Sequence, residues 1–141
     1  MTMQSLLILG KAFSEPVRVR IIALLKHGEL CVCELCDVLD LRQSTLSTHL
    51  QFLRQSGLVN TRQDGKWVYY TLTKPMMAAT RAMFRLQERE LSEDAVLKAD
   101  AKHLKARLAK RGNDGACCVG FVKPAGVGGK RPVKRRACCA S

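Results

Sequence analysis

The fold of this chain is decided by residues 43–72, which read QSTLSTHLQFLRQSGLVNTRQDGKWVYYTL. Three leucines recur at helical spacing in the first half of this stretch: Leu46, Leu50 and Leu53. Gly57 is placed to end that helix. Beyond it, β-branched and aromatic residues lie on both sides of Asp64-Gly65, which is a strong tight-turn signal. The stretch therefore predicts a helix followed by a β-hairpin.

Shorter helical patterns precede this stretch. The first contains Leu6, Leu7, Leu9 and Phe13, and the third contains Leu35, Val38 and Leu39. The second is expected to begin after the cap residue Ser14 and to end at Gly28. It carries Pro16 in its first turn, where a missing N–H costs nothing. We therefore expect three helices before the one that carries Leu46.

A last helical pattern follows the hairpin. Pro75 opens it, it runs to about Lys110, and Ser92-Glu93-Asp94 is a candidate break within it. Four helices, a hairpin and further helix form the order of a winged helix-turn-helix domain, so the predicted fold class is mostly α with a β-hairpin (α+β). In such a domain the second helix of the pair enters the DNA major groove, and the hairpin wing touches the backbone or minor groove.

Composition supports a nucleic-acid partner. The 141 residues include 24 Lys and Arg against 12 Asp and Glu, for a formal net charge of +12. This charge indicates a polyanionic partner, either nucleic acid or an anionic membrane surface, and the helix pair favours double-stranded DNA. No window reaches the roughly 18 apolar residues of a membrane span, and no basic region opens a secretory signal, so we expect a cytoplasmic protein without a membrane partner. No Gly-rich nucleotide loop stands out, so an enzyme is not expected.

The positive charge is concentrated at the C-terminal end. Residues 111–141 hold seven basic residues and one acidic residue, and they are rich in Gly, Pro and Ala without an apolar period. We interpret 1–110 as the DNA-binding and dimerisation domain and 111–141 as a flexible basic tail. The basic cluster at 130–136 is expected to add DNA affinity that does not depend on sequence.

Four segments together resemble one known family. They are ELCVCELC at 29–36, STLSTHL at 44–50, LRQSGLV at 53–59 and DGKWVYY at 64–70. The combination resembles the ArsR/SmtB family of metal- and metalloid-responsive repressors over roughly residues 6–90. Within the family it is most similar to the arsenite-responsive branch, whose mark is Cys-Val-Cys-x-x-Cys. The resemblance implies a homodimer that leaves inverted-repeat operator DNA when it binds its ion.

The resemblance also implies the residues that read DNA. They lie at the start of the fourth helix: Gln43, Ser44, Thr45, Ser47, Thr48 and His49. Short hydroxyls and an amide suit base edges and phosphates in the major groove. The alternative is that Ser and Thr only cap the helix while His49 packs on its neighbour. One departure from the family is Arg42, which stands at a position where the family often has a small capping residue. Arg42 is expected to pair with a phosphate instead, or Ser44 is expected to cap the helix one turn later.

Further DNA contacts are expected outside that helix start. Arg54 is a phosphate clamp or a solvated charge, and Arg62 and Lys66 flank the hairpin turn, where they meet phosphates or only solubilise the tip. Trp67 and Tyr69 are expected to pack against the helices. Dimerisation is expected through the first and last helices of the domain, whose apolar faces are Leu6/Leu9/Phe13 and Thr80/Met83/Phe84/Gln87.

Cys31, Cys33 and Cys36 form the candidate ion site. Thiolates prefer thiophilic ions, and trivalent arsenic or antimony, As(III) or Sb(III), is satisfied by three of them. Cys33 and Cys36 are three residues apart and share a helix face, whereas Cys31 and Cys33 do not. All three meet only if the helix starts after Cys31 or unwinds at its first turn. We expect ion binding to distort this helix start and thereby displace the neighbouring reading helix.

Other interpretations of the cysteines remain open. Zinc, cadmium or lead would use a Cys₃His set with His27. A thiol redox pair at Cys33 and Cys36 would sense oxidation or, in a different class of protein, serve a thiol oxidoreductase. Buried inert thiols are the third option. The tail cysteines are candidate accessory ligands: Cys117, Cys118, Cys138 and Cys139. His103, with Asp100 three residues before it, is expected to hold no site.

Overall fold

The computed structural model describes residues 2–111. The tail cysteines and the basic cluster at 130–136 therefore lie outside the described residues. The helices are α1 Met3–Phe13, α2 Pro16–Leu25, α3 Val32–Leu39, α4 Gln43–Gln55, α5 Lys74–Leu86, α6 Glu88–Glu93 and α7 Ala95–Leu108. The strands are β1 Leu30–Cys31, β2 Val59–Asp64 and β3 Trp67–Leu72. None of the helices within 2–111 is long and apolar enough to cross a membrane.

The start of α2 differs from the prediction. Its N-cap is Glu15, whose Oε2 accepts a hydrogen bond from Arg18 N at 2.9 Å. Ser14 does not cap α2, because it ends α1 and its hydroxyl donates to the Lys11 carbonyl at 2.9 Å. Pro16 does occupy the first turn of α2, as the sequence predicted.

The helix pair α3–α4 turns at Asp40. Asp40 is the C-cap of α3 and has a left-handed backbone (φ 52°), which lets the chain reverse within a few residues. Arg42 is the N-cap of α4 and makes no side-chain cap bond, and Ser44 lies inside the helix rather than capping it. The three predicted core leucines of α4 are buried: Leu46, Leu50 and Leu53.

The predicted hairpin is present and belongs to a larger sheet. β2 and β3 pair antiparallel from Val59↔Leu72 to Asp64↔Trp67, and Gly65 in the turn has φ 59°. β1 pairs antiparallel with the other edge of β3, which gives the order β1-β3-β2. Two residues are too short to show the alternating pattern of a strand, so the sequence did not predict β1.

The C-terminal helices return to the helix pair. Thr73 caps α5 by accepting from Met76 N, and Asp94 caps α7 by accepting from Leu97 N at 2.9 Å. The predicted break at Ser92–Asp94 is confirmed, and a second break at Gln87 was not predicted. α7 packs on α2 and α3 through buried Leu104. The core thus lies between α2, α3, α4, α7 and the sheet.

Candidate DNA interface and cysteine site

The start of α4 presents an exposed polar face. Ser44, Thr45 and Thr48 are exposed, while Gln43 and Ser47 are half-buried. Thr48 Oγ1 donates to the Ser44 carbonyl at 3.1 Å. The N-cap Arg42 makes no side-chain cap hydrogen bond, and the first turn of a helix is where backbone amide groups meet an anion such as a phosphate.

His49 lies apart from this face. Its Nδ1 is 3.6 Å from Glu15 Oε2, and 17% of its side chain is exposed. That nitrogen is buried and makes no hydrogen bond within the described part of the chain. The ring therefore sits between α4 and the start of α2, which is the packing alternative considered for this residue.

The basic residues near the wing differ in their exposure and in their contacts with acidic side chains. Arg54 and Lys66 are exposed. Arg62 is held by Glu29: its Nη2 donates to Oε1 at 2.6 Å and its Nε to Oε2 at 3.1 Å. These hydrogen bonds raise the pKa of the Arg62 guanidinium. The guanidinium also lies over the Tyr69 ring, 4.5 Å from the ring centroid. Asp64 Oδ2 is 3.7 Å from Arg62 Nη1.

The two wing aromatics pack as predicted. Tyr69 is buried in the core, and Trp67 is half-buried against it. Both rings belong to β3, the central strand of the sheet, so they stabilise the wing from within.

The helix that carries the candidate ligands starts after Cys31. Cys31 ends β1 and is the N-cap of α3, with an extended backbone (φ −87°, ψ 162°). This confirms the first of the two conditions for bringing the cysteines together. The sulfur atoms of Cys31 and Cys33 are joined in a disulfide, with their Cα atoms 5.5 Å apart. Cys36, one turn further, is buried and outside that bond.

This geometry changes the expected effect of ion binding. Because α3 already begins at Val32, bringing Cys31 to Cys33 requires no unwinding of the helix. No distortion of the helix start is therefore needed to bring these two sulfurs together. Within residues 2–111, as they stand with Cys31 bonded to Cys33, no group of three or more His, Cys, Asp or Glu side chains is arranged to hold a metal ion. A three-thiolate set requires the reduced protein.

A buried acid supports the start of α3. Glu34 is fully buried, and its Oε1 accepts from Cys31 N at 3.0 Å. Arg111 donates to both carboxylate oxygens of Glu34 at 2.7 Å and to the Glu29 carbonyl at 2.8 Å. The hydrogen bonds to Glu34 raise the pKa of Arg111. The sequence contained one signal for Glu34, an acid three residues after a helix cap, and none for Arg111, the first residue of the predicted tail.

Asp100 and His103 are not paired with each other. Arg20 donates to both Asp100 carboxylate oxygens, at 2.8 and 2.9 Å, so that carboxylate is engaged in holding α7 to α2. His103 is exposed, as is His27, whereas the three cysteines of the candidate site are buried.

A helix pair with an exposed polar second helix, beside a hairpin wing, defines a winged helix-turn-helix DNA-binding domain. The chain belongs to the ArsR family: residues 15–61 match the family model described as bacterial regulatory protein, arsR family, and a relative at 34% identity is covered over 93% of its length. It is accordingly a DNA-binding transcriptional regulator and not an enzyme.

Two curated relatives and two solved structures illustrate this membership. The arsenical resistance operon repressor of Escherichia coli is 48% identical over 66 residues, which span 46% of this chain and 56% of that protein. The arsenic resistance transcriptional regulator ArsR2 of Pseudomonas putida is 34% identical over 109 residues, or 77% of this chain and 93% of the relative.

The structure of HlyU from Vibrio cholerae superimposes with a TM-score of 0.56 at 40% identity, covering 59% of this chain and 91% of that one. The homodimeric winged helix-turn-helix DNA-binding domain of Mb0332 from Mycobacterium bovis gives a TM-score of 0.58 at 25% identity. It covers 65% of this chain and 86% of that one.

Proposed function

We propose that this regulator is a cytoplasmic, homodimeric repressor that binds an inverted-repeat operator and releases it when As(III) or Sb(III) binds Cys31, Cys33 and Cys36. The observation that carries the proposal is the backbone at Cys31. Because this residue ends a strand and caps α3, its sulfur reaches that of Cys33, which an uninterrupted helix would prevent. Cys36 follows one turn later and is buried like the other two.

The donor set suits a trivalent thiophilic ion. Three thiolates satisfy As(III) or Sb(III) without a fourth ligand, whereas a structural zinc site takes four. The fourth ligand considered for zinc, cadmium or lead was His27, which is exposed while the cysteines are at most 9% exposed. The arsenic-named relatives support the same choice.

Release of DNA would follow from the position of α3. This helix packs on α4, and the strand before it pairs with the wing. An ion bound at the start of α3 is therefore linked to both DNA-facing elements. It is linked to α4 through α3, and to the wing through β1. A coupling of about 1–3 kcal/mol per site is typical of such linkage, so two sites would weaken operator binding by roughly a hundredfold or more.

The candidate DNA contacts are the predicted set. The exposed hydroxyls of Ser44, Thr45 and Thr48 would meet bases or phosphates, and Arg54 and Lys66 would meet phosphates. Gln43, Ser47, His49 and Arg62 complete that set, although His49 and Arg62 turn toward protein groups in this structure.

Exposed apolar side chains support a dimer. Leu6 and Met83 are 61% and 44% exposed, and Leu7 and Leu86 are exposed beside them on α1 and α5. Such side chains are covered when two protomers pack. Thr80 was predicted to lie on this exposed face, but it is fully buried and does not belong to it.

The test is fluorescence anisotropy on DNA from upstream of the protein's own gene, titrated with arsenite in a phosphine reductant. Stoichiometric arsenite is expected to release the wild-type protein from the DNA. Cys33→Ser should abolish release, and so should Cys31→Ser, whose serine is a good N-cap and therefore preserves the start of α3. The matched control replaces the four tail cysteines with serine and should release normally. DNA binding that survives a large excess of arsenite would refute the proposal.

Thiol oxidation is the second candidate signal, because the Cys31 and Cys33 sulfurs already meet. In the same assay, an oxidant such as diamide would release DNA without arsenite, and phosphine would restore binding. Release by oxidant combined with indifference to arsenite would favour this alternative.

A further inference from the structure

One row of residues crosses the sheet from the cysteine site to the wing. Cys31 on β1 lies opposite Tyr69 on β3, and Tyr69 lies opposite Arg62 on β2. Directly opposed residues point to the same face of a sheet, and adjacent strands are about 4.8 Å apart. The candidate ion ligand and the candidate DNA contact are thus two strands, or about 10 Å of backbone, apart.

Glu29 binds the last residue of this row, Arg62 on the wing. Its carboxylate binds the Arg62 guanidinium through two hydrogen bonds, at 2.6 and 3.1 Å. Arginine binds phosphate with the same two-pronged geometry, so a carboxylate and a DNA phosphate compete for one set of donors. The pair is partly exposed, with 53% of the Arg62 side chain and 33% of the Glu29 side chain accessible, so exchange of partners requires no unfolding.

The position of Glu29 depends on the start of α3. Glu29 lies two residues before Cys31, and its carbonyl accepts from Arg111 at 2.8 Å. Arg111 also binds Glu34, and Glu34 accepts from the Cys31 amide. The groups that fix the backbone of Cys31 therefore also fix the residue that holds Arg62.

We propose that Glu29 holds Arg62 away from DNA phosphates, and that ion binding at Cys31 stabilises this hold. The inference rests on the proposed function and adds a second route of regulation, through the sheet to the wing, beside the route through α3 to α4. Arg62 has two states, one bound to Glu29 and one bound to phosphate. An ion that favours the first state lowers DNA affinity by its differential affinity for the two.

The test is a double-mutant cycle on the full chain. The variants are Glu29→Gln, which keeps the side-chain size, Arg62→Gln, which removes the guanidinium, and the double substitution; all three keep the Glu29 carbonyl. Glu90→Gln, an exposed acid on α6, controls for the general effect of removing one negative charge. Dissociation constants for operator DNA are measured by anisotropy at several salt concentrations, with circular dichroism to verify folding.

Without arsenite, Glu29→Gln should tighten DNA binding about two- to fivefold more than the control, the range expected for releasing an exposed ion pair. It should also steepen the dependence of affinity on salt by about one ion per protomer. In the Arg62→Gln background, Glu29→Gln should add nothing beyond the control. An equal gain in both backgrounds, or no gain, would overturn the hold.

Titration with arsenite then tests whether ion binding stabilises the Glu29–Arg62 ion pair. The ratio of dissociation constants with and without arsenite should fall at least twofold in both single variants. Arsenite affinity off DNA, measured by calorimetry, should fall by the same factor in both single variants, because the coupling between ion and hold is reciprocal. An unchanged ratio in Arg62→Gln would overturn the wing route while leaving the proposed function intact. A wild type that ignores arsenite would instead refute the proposed function and ion control together, and the arsenite-free cycle would still decide the hold.

Discussion

The reading helix and the wing are anchored differently. α4 is fixed by three buried leucines and presents exposed hydroxyl groups on its other face. The wing is buried on β2 only at Val59, and its Arg62 is engaged with an acid outside the hairpin. Packing fixes the position of α4, which suits sequence recognition. A partly exposed ion pair sets the availability of the wing arginine, which suits adjustment of affinity.

The largest expected effect concerns the anchoring of α4. Leu50→Ala should lower the free energy of unfolding by about 2–5 kcal/mol, because it removes buried methyl groups and leaves a cavity. Gln63→Ala, exposed on β2, should change it by less than about 0.5 kcal/mol. Urea unfolding measures both values. Equal losses would show that the two regions are anchored alike.

The next effect concerns the support beneath the wing. Arg111→Gln should lower the free energy of unfolding by about 2–3 kcal/mol, because it leaves the fully buried Glu34 carboxylate without its cation. Arg111 is itself 28% exposed, so solvent screening lowers the loss to or below the bottom of the range of about 3–5 kcal/mol for fully buried pairs.

The matched control for this loss is the Glu34→Gln/Arg111→Gln double variant. It should recover part of the stability, since the buried charge is then gone as well. A double variant that is less stable than Arg111→Gln alone would contradict the assignment.

A substitution on α4 should alter sequence preference. Thr45→Ala is expected to cost about 1–3 kcal/mol of discrimination at one base pair if its hydroxyl or methyl group reads a base edge. Competition among operators with single base changes measures this preference. A uniform loss across all sequences would show that Thr45 contacts only phosphate.

The smallest effect is expected at the wing tip. Lys66→Ala should weaken binding equally for every sequence and reduce the salt dependence by about one ion, as removal of one phosphate contact does. Thr45→Ala is its natural comparison in the same titrations, since that variant should leave the salt dependence unchanged. A changed base preference in Lys66→Ala would remove the distinction between the two regions.

Most of the fold followed from local patterns. The period of Leu46, Leu50 and Leu53 predicted α4, and Asp64-Gly65 predicted the hairpin turn. One miss lay where a short segment borrows its structure from a distant one: β1 exists because Leu30 and Cys31 pair with Tyr70 and Tyr69. The other miss was local: Glu15 caps α2, and the hydroxyl of Ser14 donates to the Lys11 carbonyl three residues earlier.

The candidate site divides along the same line. Three thiols within six residues, and the need for α3 to begin after Cys31, follow from residue spacing, because helix geometry is local. The partners of Glu29 and Glu34 are Arg62 and Arg111, which lie 33 and 77 residues further along the chain. A charged side chain has many possible partners along the sequence, and its choice depends on which elements the packed core brings within 3 Å. Folding of α7 and the sheet around α3 made that choice, and residue order contains no comparable rule.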